Sequence, residues 1–135
     1  MRSGKLLIID SSLLMAIAEK RGLSLDRLFE DTLYKFELAT TSSVLNELKK
    51  MASSKGGKAL KARAALSIAE KLRIVDSVTE DVDTDVIEVA AKLRGIVATC
   101  DLELRRKAMR RGVPTLFLRS RKRLMVNSPV GGYLP

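Results

Sequence analysis

Short aliphatic runs, each long enough for a single β-strand, alternate along this chain with segments that have the spacing of amphipathic helices. The strand-like runs lie at Lys5–Ile9, 36–40, 74–75, Ile96–Thr99, 113–118 and, as an edge strand, 122–126. The clearest helical spacing is that of Val86, Val89, Ala90 and Leu93, which recur at i, i+3, i+4 and i+7. This alternation predicts an α/β fold in three layers, with a mainly parallel sheet flanked by helices.

Polar caps and glycines place the predicted helices between these strands. Ser11 and Ser12 are cap candidates for the first helix, and Asp83 and Thr84 precede a later helix that Gly95 ends. The other helices are expected at 24–33, 44–51, 59–72 and Leu102–Arg111. No linker or repeat divides the 135 residues, so we expect one domain over 1–127 and an irregular tail over 128–135.

The composition excludes several kinds of catalytic and metal site. The chain has no histidine, which excludes Ser-His-Asp and Cys-His catalysis and histidine-ligated metals. Its single cysteine, Cys100, cannot form an internal disulfide or a cysteine-rich zinc site, and is best explained as a small buried side chain. The longest aliphatic run has four residues, too few for a membrane span or a signal peptide. We therefore expect a cytoplasmic protein with no membrane partner.

The positive charge of the chain is concentrated near its C-terminus. The net charge is +9, from 25 basic and 16 acidic residues. Residues 104–123 contain nine of the basic residues and no acid, so the rest of the chain is balanced. Localised positive charge favours a polyanionic partner, most often nucleic acid, over a merely solubilising surface. Within the predicted helix that follows Asp101, Arg106 and Arg110 lie four residues apart and share one face.

Carboxylates occur where the predicted strands end. Asp10 follows the first strand and Asp101 follows Ile96–Thr99, while Glu47 and Asp85 lie near the starts of helices at the same rim. Ligands bind at the carboxyl ends of strands in open α/β sheets. Each acid has a simpler explanation, since Asp10 can cap a helix, Glu47 can be solvated, and Asp85 can favour a helix dipole. Together, four clustered carboxylates need a cation or a proton to coexist, and Mg²⁺ or Mn²⁺ fits oxygen ligands best.

Three segments together resemble the PIN-domain nuclease family: LLIIDSSLLM, TTSSVLNELKK and DTDVIEVAAKLRGIVATCDLELRRKAMRRGVP. The resemblance covers nearly the whole chain and implies a PIN-like α/β/α domain. It identifies the family's four acids, in order, as Asp10, Glu47, Asp85 and Asp101. It also implies that Glu103 assists in metal binding and that Ser11 and Thr99 support the acids with their hydroxyl groups.

The C-terminal segment ATCDLELRRKAMRRGVPTLFLRSRKRLMV is most similar to the archaeal and eukaryotic branch that processes ribosomal RNA, and to archaeal VapC-type toxins. The resemblance implies a metal-dependent endoribonuclease that uses Mg²⁺ or Mn²⁺ and leaves a 5′-phosphate and a 3′-hydroxyl. Its implied partners are RNA, a second copy of the chain, and either an antitoxin or a pre-ribosomal particle. The candidate RNA-binding residues are Arg105, Arg106, Arg110, Arg121 and Arg123.

Two other functions fit parts of the sequence. The first is a catalytically silent RNA-binding or ribosome-assembly factor, which the presence of all four acids disfavours. The second is a phosphorelay receiver, which is also a small α/β protein with acids around Mg²⁺. A receiver needs a phosphoacceptor Asp after a central strand near mid-chain, and residues 49–69 contain no Asp. The sequence therefore favours the nuclease.

Overall fold

The computed structural model describes residues 5–19, 36–120 and 123–127, and from residue 118 onward it describes the backbone alone. The helix predicted over 24–33, the predicted tail over 128–135 and Arg121 lie outside the described residues.

Six strands form one sheet, and five of them are parallel. They are β1 (Lys5–Ile9), β2 (Phe36–Thr41), β3 (Arg73–Val75), β4 (Ile96–Thr99), β5 (Thr115–Ser120) and β6 (Arg123–Asn127), in the spatial order β3-β2-β1-β4-β5-β6. Only β6 runs antiparallel, as an edge strand on β5. The chain therefore moves outward from β1 to β3 on one side and then from β4 to β6 on the other, which makes the crevice between β1 and β4 the topological switch point.

Helices cover the two faces of this sheet, so the predicted three-layer α/β/α fold is confirmed. The described helices are α1 (Ser11–Glu19), α2 (Ser42–Ala52), α3 (Gly57–Ala69), α4 (Val82–Leu93) and α5 (Leu102–Arg111). Helices α1 and α2 both pack on α3, and α4 packs on α5. No described helix is long and apolar enough to cross a membrane.

The core is built from aliphatic side chains, as the low aromatic content requires. Strand β1 supplies Leu7, Ile8 and Ile9, none of which is exposed to solvent. Helix α3 turns a row of alanines inward at Ala59, Ala62, Ala65 and Ala69, which lets it approach α1 and α2 closely. The predicted helix over 59–72 is thus shifted, because the chain already turns at Glu70 and enters β3 at Arg73.

The end of α4 differs from the prediction that Gly95 stops the helix. Arg94, not Gly95, adopts the left-handed conformation, with φ 54°, and its N–H bonds to the carbonyl groups of Ala90 and Ala91. Gly95 is needed for space, since a Cβ atom there would lie 2.8 Å from the carbonyl oxygen of Leu6. The glycine therefore lets the α4–β4 connection pass against β1 and fixes where β4 begins.

Candidate functional site

Asp10 lies at the switch point, directly after β1 and beside β4. Its backbone N–H donates to the carbonyl oxygen of Ala98 at 3.1 Å, which extends the pairing of β1 with β4 by one residue. Its carboxylate accepts the backbone N–H of Leu13 at 3.1 Å and so caps α1. The capping explanation from the sequence is therefore correct for Asp10, although Ser11 and Ser12 had been the expected caps. Capping does not exclude a second role for this carboxylate.

The carboxyl group of Asp10 is held in an environment that disfavours its charge. Only 4% of the residue is exposed. Burial raises the pKa of Asp10 to about 6, against the lowering effect of hydrogen bonds from Thr99, Leu13 and Ser12, and the nearby charge of Asp101 raises it further. A buried carboxylate beside a second carboxylate is the situation that a bound cation relieves.

Two hydroxyl groups connect Asp10 to β4. The Thr99 hydroxyl donates to Asp10 Oδ2 at 2.7 Å and accepts the backbone N–H of Asp101 at 2.9 Å. The Ser12 hydroxyl lies 2.9 Å from both carboxylate oxygens of Asp10 and accepts the N–H of Cys100 at 3.1 Å. Thr99 therefore has the contacts expected of a supporting residue. The serine that makes such contacts is Ser12, whereas the resemblance had pointed to its neighbour Ser11.

Asp101 is the N-cap of α5. Its side chain accepts the N–H of Glu103 at 2.8 Å and that of Leu104 at 3.3 Å, and both bonds end on the same oxygen, Oδ1. Among the described residues, Oδ2 accepts no hydrogen bond, which leaves this oxygen available to a ligand at the sheet rim. The neighbouring thiol does not share this chemistry, because burial and then the charge of Asp10 raise the pKa of Cys100 to about 12.

Glu47 lies in the second turn of α2, which begins after Thr41 has capped it by accepting the N–H of Val44. The Oε1 atom of Glu47 is buried and has no hydrogen-bond partner among the described residues. A buried carboxylate oxygen without a donor is costly unless something else neutralises it. After the raised pKa of Asp10, this unpartnered oxygen is the second observation that fits a cation-binding role.

Asp83 was not selected by the sequence analysis, yet the charges of other acids of the site act on it. Helix α4 begins at Val82 with Asp81 as its N-cap, so Asp83 falls in the first helical turn. Burial raises the pKa of Asp83, the charges of Asp101, Asp81 and Glu47 raise it further, and the charge of Lys107 opposes them. Asp83 thus lies within electrostatic reach of both Asp101 and Glu47. The sequence DTD contained a signal for either acid, and spacing alone could not choose between them.

Asp85, the acid that the resemblance selected, is engaged in structure. It is fully buried, and its Oδ2 accepts the Ser43 hydroxyl at 2.6 Å, while its Oδ1 accepts the N–H groups of Val78 at 2.6 Å and Thr79 at 3.1 Å. Burial raises the pKa of Asp85, but the hydrogen bonds from Ser43, Ser77 and the two backbone groups outweigh it and leave the pKa below its usual value. Both oxygens of Asp85 already accept hydrogen bonds, which disfavours metal binding by this residue. Its role as a metal ligand stays a prediction.

The acids are neighbours rather than a preformed cage. Among the described residues, no three His, Cys, Asp or Glu side chains converge closely enough to hold a metal ion. These side chains nevertheless suit a hard divalent cation, because all of them are carboxylates. The pKa values of Asp10 and Asp83 are raised, and one oxygen of Glu47 is buried without a hydrogen-bond donor among the described residues. Asp10, Glu47, Asp83 and Asp101 therefore fit such an ion chemically.

The basic residues of α5 divide between two directions. Arg106 and Arg110 are exposed and approach Glu103 at 4.0 Å, so Glu103 faces the basic surface. Hydrogen bonds from Thr84 lower the pKa of Asp81 and the charge of Lys107 adds to this, while the same charge opposes the raised pKa of Asp83. The charge of Lys107 is therefore near these acids. Glu103, which was predicted to help bind metal, therefore lies near the two arginines. Lys107 is a basic residue near the acids that the sequence analysis had not selected for RNA binding.

Two further arginines of this helix have structural partners. The Arg105 guanidinium lies 4.8 Å from the centre of the Phe117 ring, and Arg111 forms a bidentate pair with Glu88 at 2.8 and 3.1 Å. Arg123 begins β6, where only its backbone is described, and Arg121 lies outside the described residues. Of the five predicted RNA-binding arginines, Arg106 and Arg110 are therefore the two with exposed side chains in the described part.

Comparisons with known proteins agree with this fold. The chain is 35% identical over 120 residues to ribonuclease VapC9 of Archaeoglobus fulgidus, covering 88% of this chain and 87% of the relative. Its fold is similar to that of the PIN domain endonuclease Utp24, with a TM-score of 0.72, 21% identity and coverage of 91% of this chain and 92% of that one. A domain of a functionally unknown protein from Methanocaldococcus jannaschii is similar with a TM-score of 0.65, 14% identity and coverage of 86% and 92%. The model of the PIN-like domain matches residues 7–121, so the chain belongs to the PIN-like domain family.

Proposed function

We propose that the protein is a metal-dependent endoribonuclease that hydrolyses RNA phosphodiester bonds. The observation that carries the proposal is the pair Asp10 and Asp101 at the switch point. One of these carboxylates is buried with its pKa raised, and the other leaves an oxygen without a donor among the described residues. The relative VapC9 is a ribonuclease, and the family resemblance implies that the products carry a 5′-phosphate and a 3′-hydroxyl.

The proposed ligands of Mg²⁺ or Mn²⁺ are Asp10, Glu47, Asp83 and Asp101. Asp83 takes the place that the sequence assigned to Asp85, because the oxygens of Asp85 are occupied by donors from Ser43 and the 78–79 backbone. A bound divalent ion supplies a more acidic water and stabilises charge on the departing oxygen. Glu103 lies outside the proposed set because its charge faces Arg106 and Arg110.

The residues around the acids hold them in position. Thr99 and Ser12 donate to Asp10 and also accept the backbone N–H groups of Asp101 and Cys100, the two residues after β4, so they tie the first acid to the fourth. Asp85 lies on α4, the helix that carries Asp83, and it ties this helix and the loop before it to the start of α2, the helix that carries Glu47. Lys107 balances part of the negative charge near Asp83.

RNA binds along the basic surface of α5 in this proposal. Arg106 and Arg110 contact phosphates directly, and Lys107 approaches the phosphate nearest the acids. Arg105, Arg121 and Arg123 complete the predicted basic set, of which Arg105 already stacks on Phe117. The protein acts in the cytoplasm, in RNA processing or turnover, and its proposed partners include a second copy of the chain.

Cleavage of a labelled structured RNA tests the proposal. Activity should require Mg²⁺ or Mn²⁺ and stop with a chelator. Asp10→Asn and Asp101→Asn should abolish it without unfolding the protein, because asparagine also caps helices well. Glu47→Gln should do the same, whereas Glu70→Gln, which removes an equal charge at the exposed end of α3, should leave the rate unchanged. A folded Asp101→Asn protein with full activity would contradict the assignment.

A VapC-type toxin is the second candidate, and the identity to VapC9 favours it. In that case an antitoxin binds the protein and blocks cleavage, and the pre-ribosomal particle is not its partner. Expression in a host cell distinguishes the two. A toxin arrests growth and fragments translation RNAs, whereas a processing enzyme shortens precursor ribosomal RNA without arrest. Specific RNA binding without any cleavage would instead support the silent assembly factor.

A further inference from the structure

A polar cleft opens beside Glu47, between the start of α2 and the loop before α4. Its volume is about 450 Å³, within the range of small-ligand sites. It is lined by Ser42, Ser43, Asn46, Glu47, Lys50, Ser77, Thr79, Glu80 and Val82. Because Glu47 belongs both to this cleft and to the proposed metal ligands, anything bound in the cleft lies next to the acids.

The floor of the cleft is fixed by a pair of serines. The Ser42 hydroxyl donates to the Ser77 hydroxyl at 2.9 Å and accepts the Ser77 N–H at 3.0 Å. The Ser77 hydroxyl in turn accepts the N–H of Ser43 at 2.8 Å. With Asp85 holding Ser43 and the N–H groups at 78 and 79, these bonds join the loop to α2, so the cleft is pre-organised.

Three polar side chains around the cleft remain available. Asn46 and Lys50 lie four residues apart on one face of α2, and Glu80 comes from the opposing loop. None of the three forms a hydrogen bond or ion pair with another residue in the described ranges 5–19 and 36–117. Lys50 and Glu80 carry opposite charges yet are not within ion-pair distance, so the cleft separates a cation from an anion.

We propose that this cleft binds one unpaired nucleotide of the RNA next to the cleaved bond, with a preference for guanine. Guanine presents two donors, N1–H and the N2 amino group, on one edge and two acceptors, O6 and N7, on another. The acceptor-only carboxylate of Glu80 matches the first edge, and the ammonium of Lys50 matches O6 and N7. Asn46 lines the same cleft and adds an amide that can both donate and accept.

The other bases match this arrangement less well. Adenine places an acceptor, N1, where guanine has N1–H, and it has no carbonyl oxygen for Lys50. Uracil offers one N–H between two carbonyl groups, so it gives Glu80 a single donor. Bases of unpaired RNA are commonly recognised on such edges. The inference rests on the proposed ribonuclease function for its substrate, but base binding can be measured without cleavage.

Cleavage of an RNA pool with randomised bases around a single cut region tests the preference. Sequencing of the new ends should show guanine enriched at one flanking position, on the order of tenfold over uracil. Glu80→Gln and Lys50→Met should remove the enrichment and raise KM more than they lower kcat. Lys49→Met takes the same charge from the same helix outside the cleft and should keep the enrichment. Equal use of all four bases by the wild-type protein would overturn the inference while leaving the nuclease proposal intact.

Binding of GMP, AMP, CMP and UMP to the metal-free protein provides the independent measurement. In nuclear magnetic resonance titrations, GMP should shift the side-chain amide signal of Asn46 at lower concentration than the other three nucleotides. Glu80→Gln should remove that difference, and Glu70→Gln should not. If no RNA is cleaved but the GMP preference is present, the nuclease proposal fails and the nucleotide site stands. Indifference of the Asn46 signal to all four nucleotides refutes the site.

Discussion

Asp83 and Asp85 lie two residues apart on α4 and should respond in opposite ways to substitution. The carboxylate of Asp85 is excluded from solvent and accepts bonds from Ser43, Val78 and Thr79 at 2.6, 2.6 and 3.1 Å. Asp83 is partly exposed, and burial together with the charge of Asp101 raises its pKa. We therefore expect Asp85 to be required for stability and Asp83 to be required for cleavage.

The magnitude for Asp85 follows from the three donors at these distances, Ser43, Val78 and Thr79. A hydrogen bond to a charged group contributes about 1.5–3 kcal/mol, and each buried donor left without a partner costs about 1–3 kcal/mol. Water entering from the adjacent cleft recovers part of this loss, so Asp85→Ala should lower the free energy of unfolding by about 3–5 kcal/mol. Asp85→Asn keeps one acceptor oxygen for the N–H groups at 78 and 79, and the Ser43 hydroxyl can accept from the new amide. That variant should lose about 1–2 kcal/mol.

Asp83→Asn should unfold at the same urea concentration as the wild-type protein or higher at pH 7, because it removes repulsion from Asp101 and Glu47. Urea unfolding followed by circular dichroism gives the midpoint and the slope, and an RNA cleavage assay on the same samples gives activity. A loss below about 0.5 kcal/mol in Asp85→Ala would refute the structural role. Normal cleavage by Asp83→Asn, with none by a folded Asp85→Asn, would restore the assignment made from the sequence.

Three further predictions concern single features of the fold and the site. Because the pKa of Asp10 is raised to about 6 from 3.8, the folded protein binds this proton more tightly than the unfolded chain. The free energy of unfolding of the metal-free protein should therefore fall by up to ~3 kcal/mol as the pH rises from about 4 to 6. Asp10→Asn should remove this pH dependence from the urea-unfolding midpoints. Gly95→Ala places a Cβ 2.8 Å from the Leu6 carbonyl oxygen and should cost about 1–3 kcal/mol in the same assay. Arg106→Gln combined with Arg110→Gln should reduce the slope of log K for RNA binding against log salt concentration by about 1–2. Arg111→Gln should change this slope less, because Arg111 is paired with Glu88. Equal slopes for the two variants would contradict the assigned RNA surface.

The order of strands and helices could be predicted because it depends on local periodicity, which the sequence displays directly. The boundaries depend on contacts that the sequence does not display. Helix α4 was expected to follow Asp83 and Thr84, but Asp81 caps it instead. Three acids at 81, 83 and 85 are all acceptable caps, so residue type cannot choose among them. A tertiary contact favours the observed start, since Asp85 accepts the buried Ser43 hydroxyl from the first turn of a helix that begins at Val82.

The site residues that depend on local sequence could likewise be predicted, whereas those that depend on tertiary contacts could not. Asp10 follows β1 directly and Asp101 follows β4 after one residue, and neighbouring parallel strands bring their carboxyl ends together whatever the loops do. Asp83 lies on a helix whose rotation about its axis is set by tertiary contacts, and a difference of two residues turns a side chain about 200°. Ser12 replaces Ser11 for a similar reason, since the first turn of α1 directs position 12 toward β4.

The carboxylates of this site are stabilised by two different means, and the difference separates their functions. Asp85 is surrounded by donors, so it is ionised without a cation and its pKa lies below the usual value. Asp10 is held where burial and the charge of Asp101 outweigh its hydrogen-bond donors, and Asp83 where burial and like charges outweigh the charge of Lys107. Glu47 keeps one buried oxygen that has no donor among the described residues. Buried carboxylates whose oxygens accept enough hydrogen bonds stabilise a fold, whereas buried carboxylates that lack donors are candidates for binding a ligand. Under the proposed function, the hydrogen-bonded network holds these acids in place, so the repulsion of Asp101 with Asp10 and with Asp83 is relieved by a proton or a cation. At neutral pH a divalent cation is the more effective of the two.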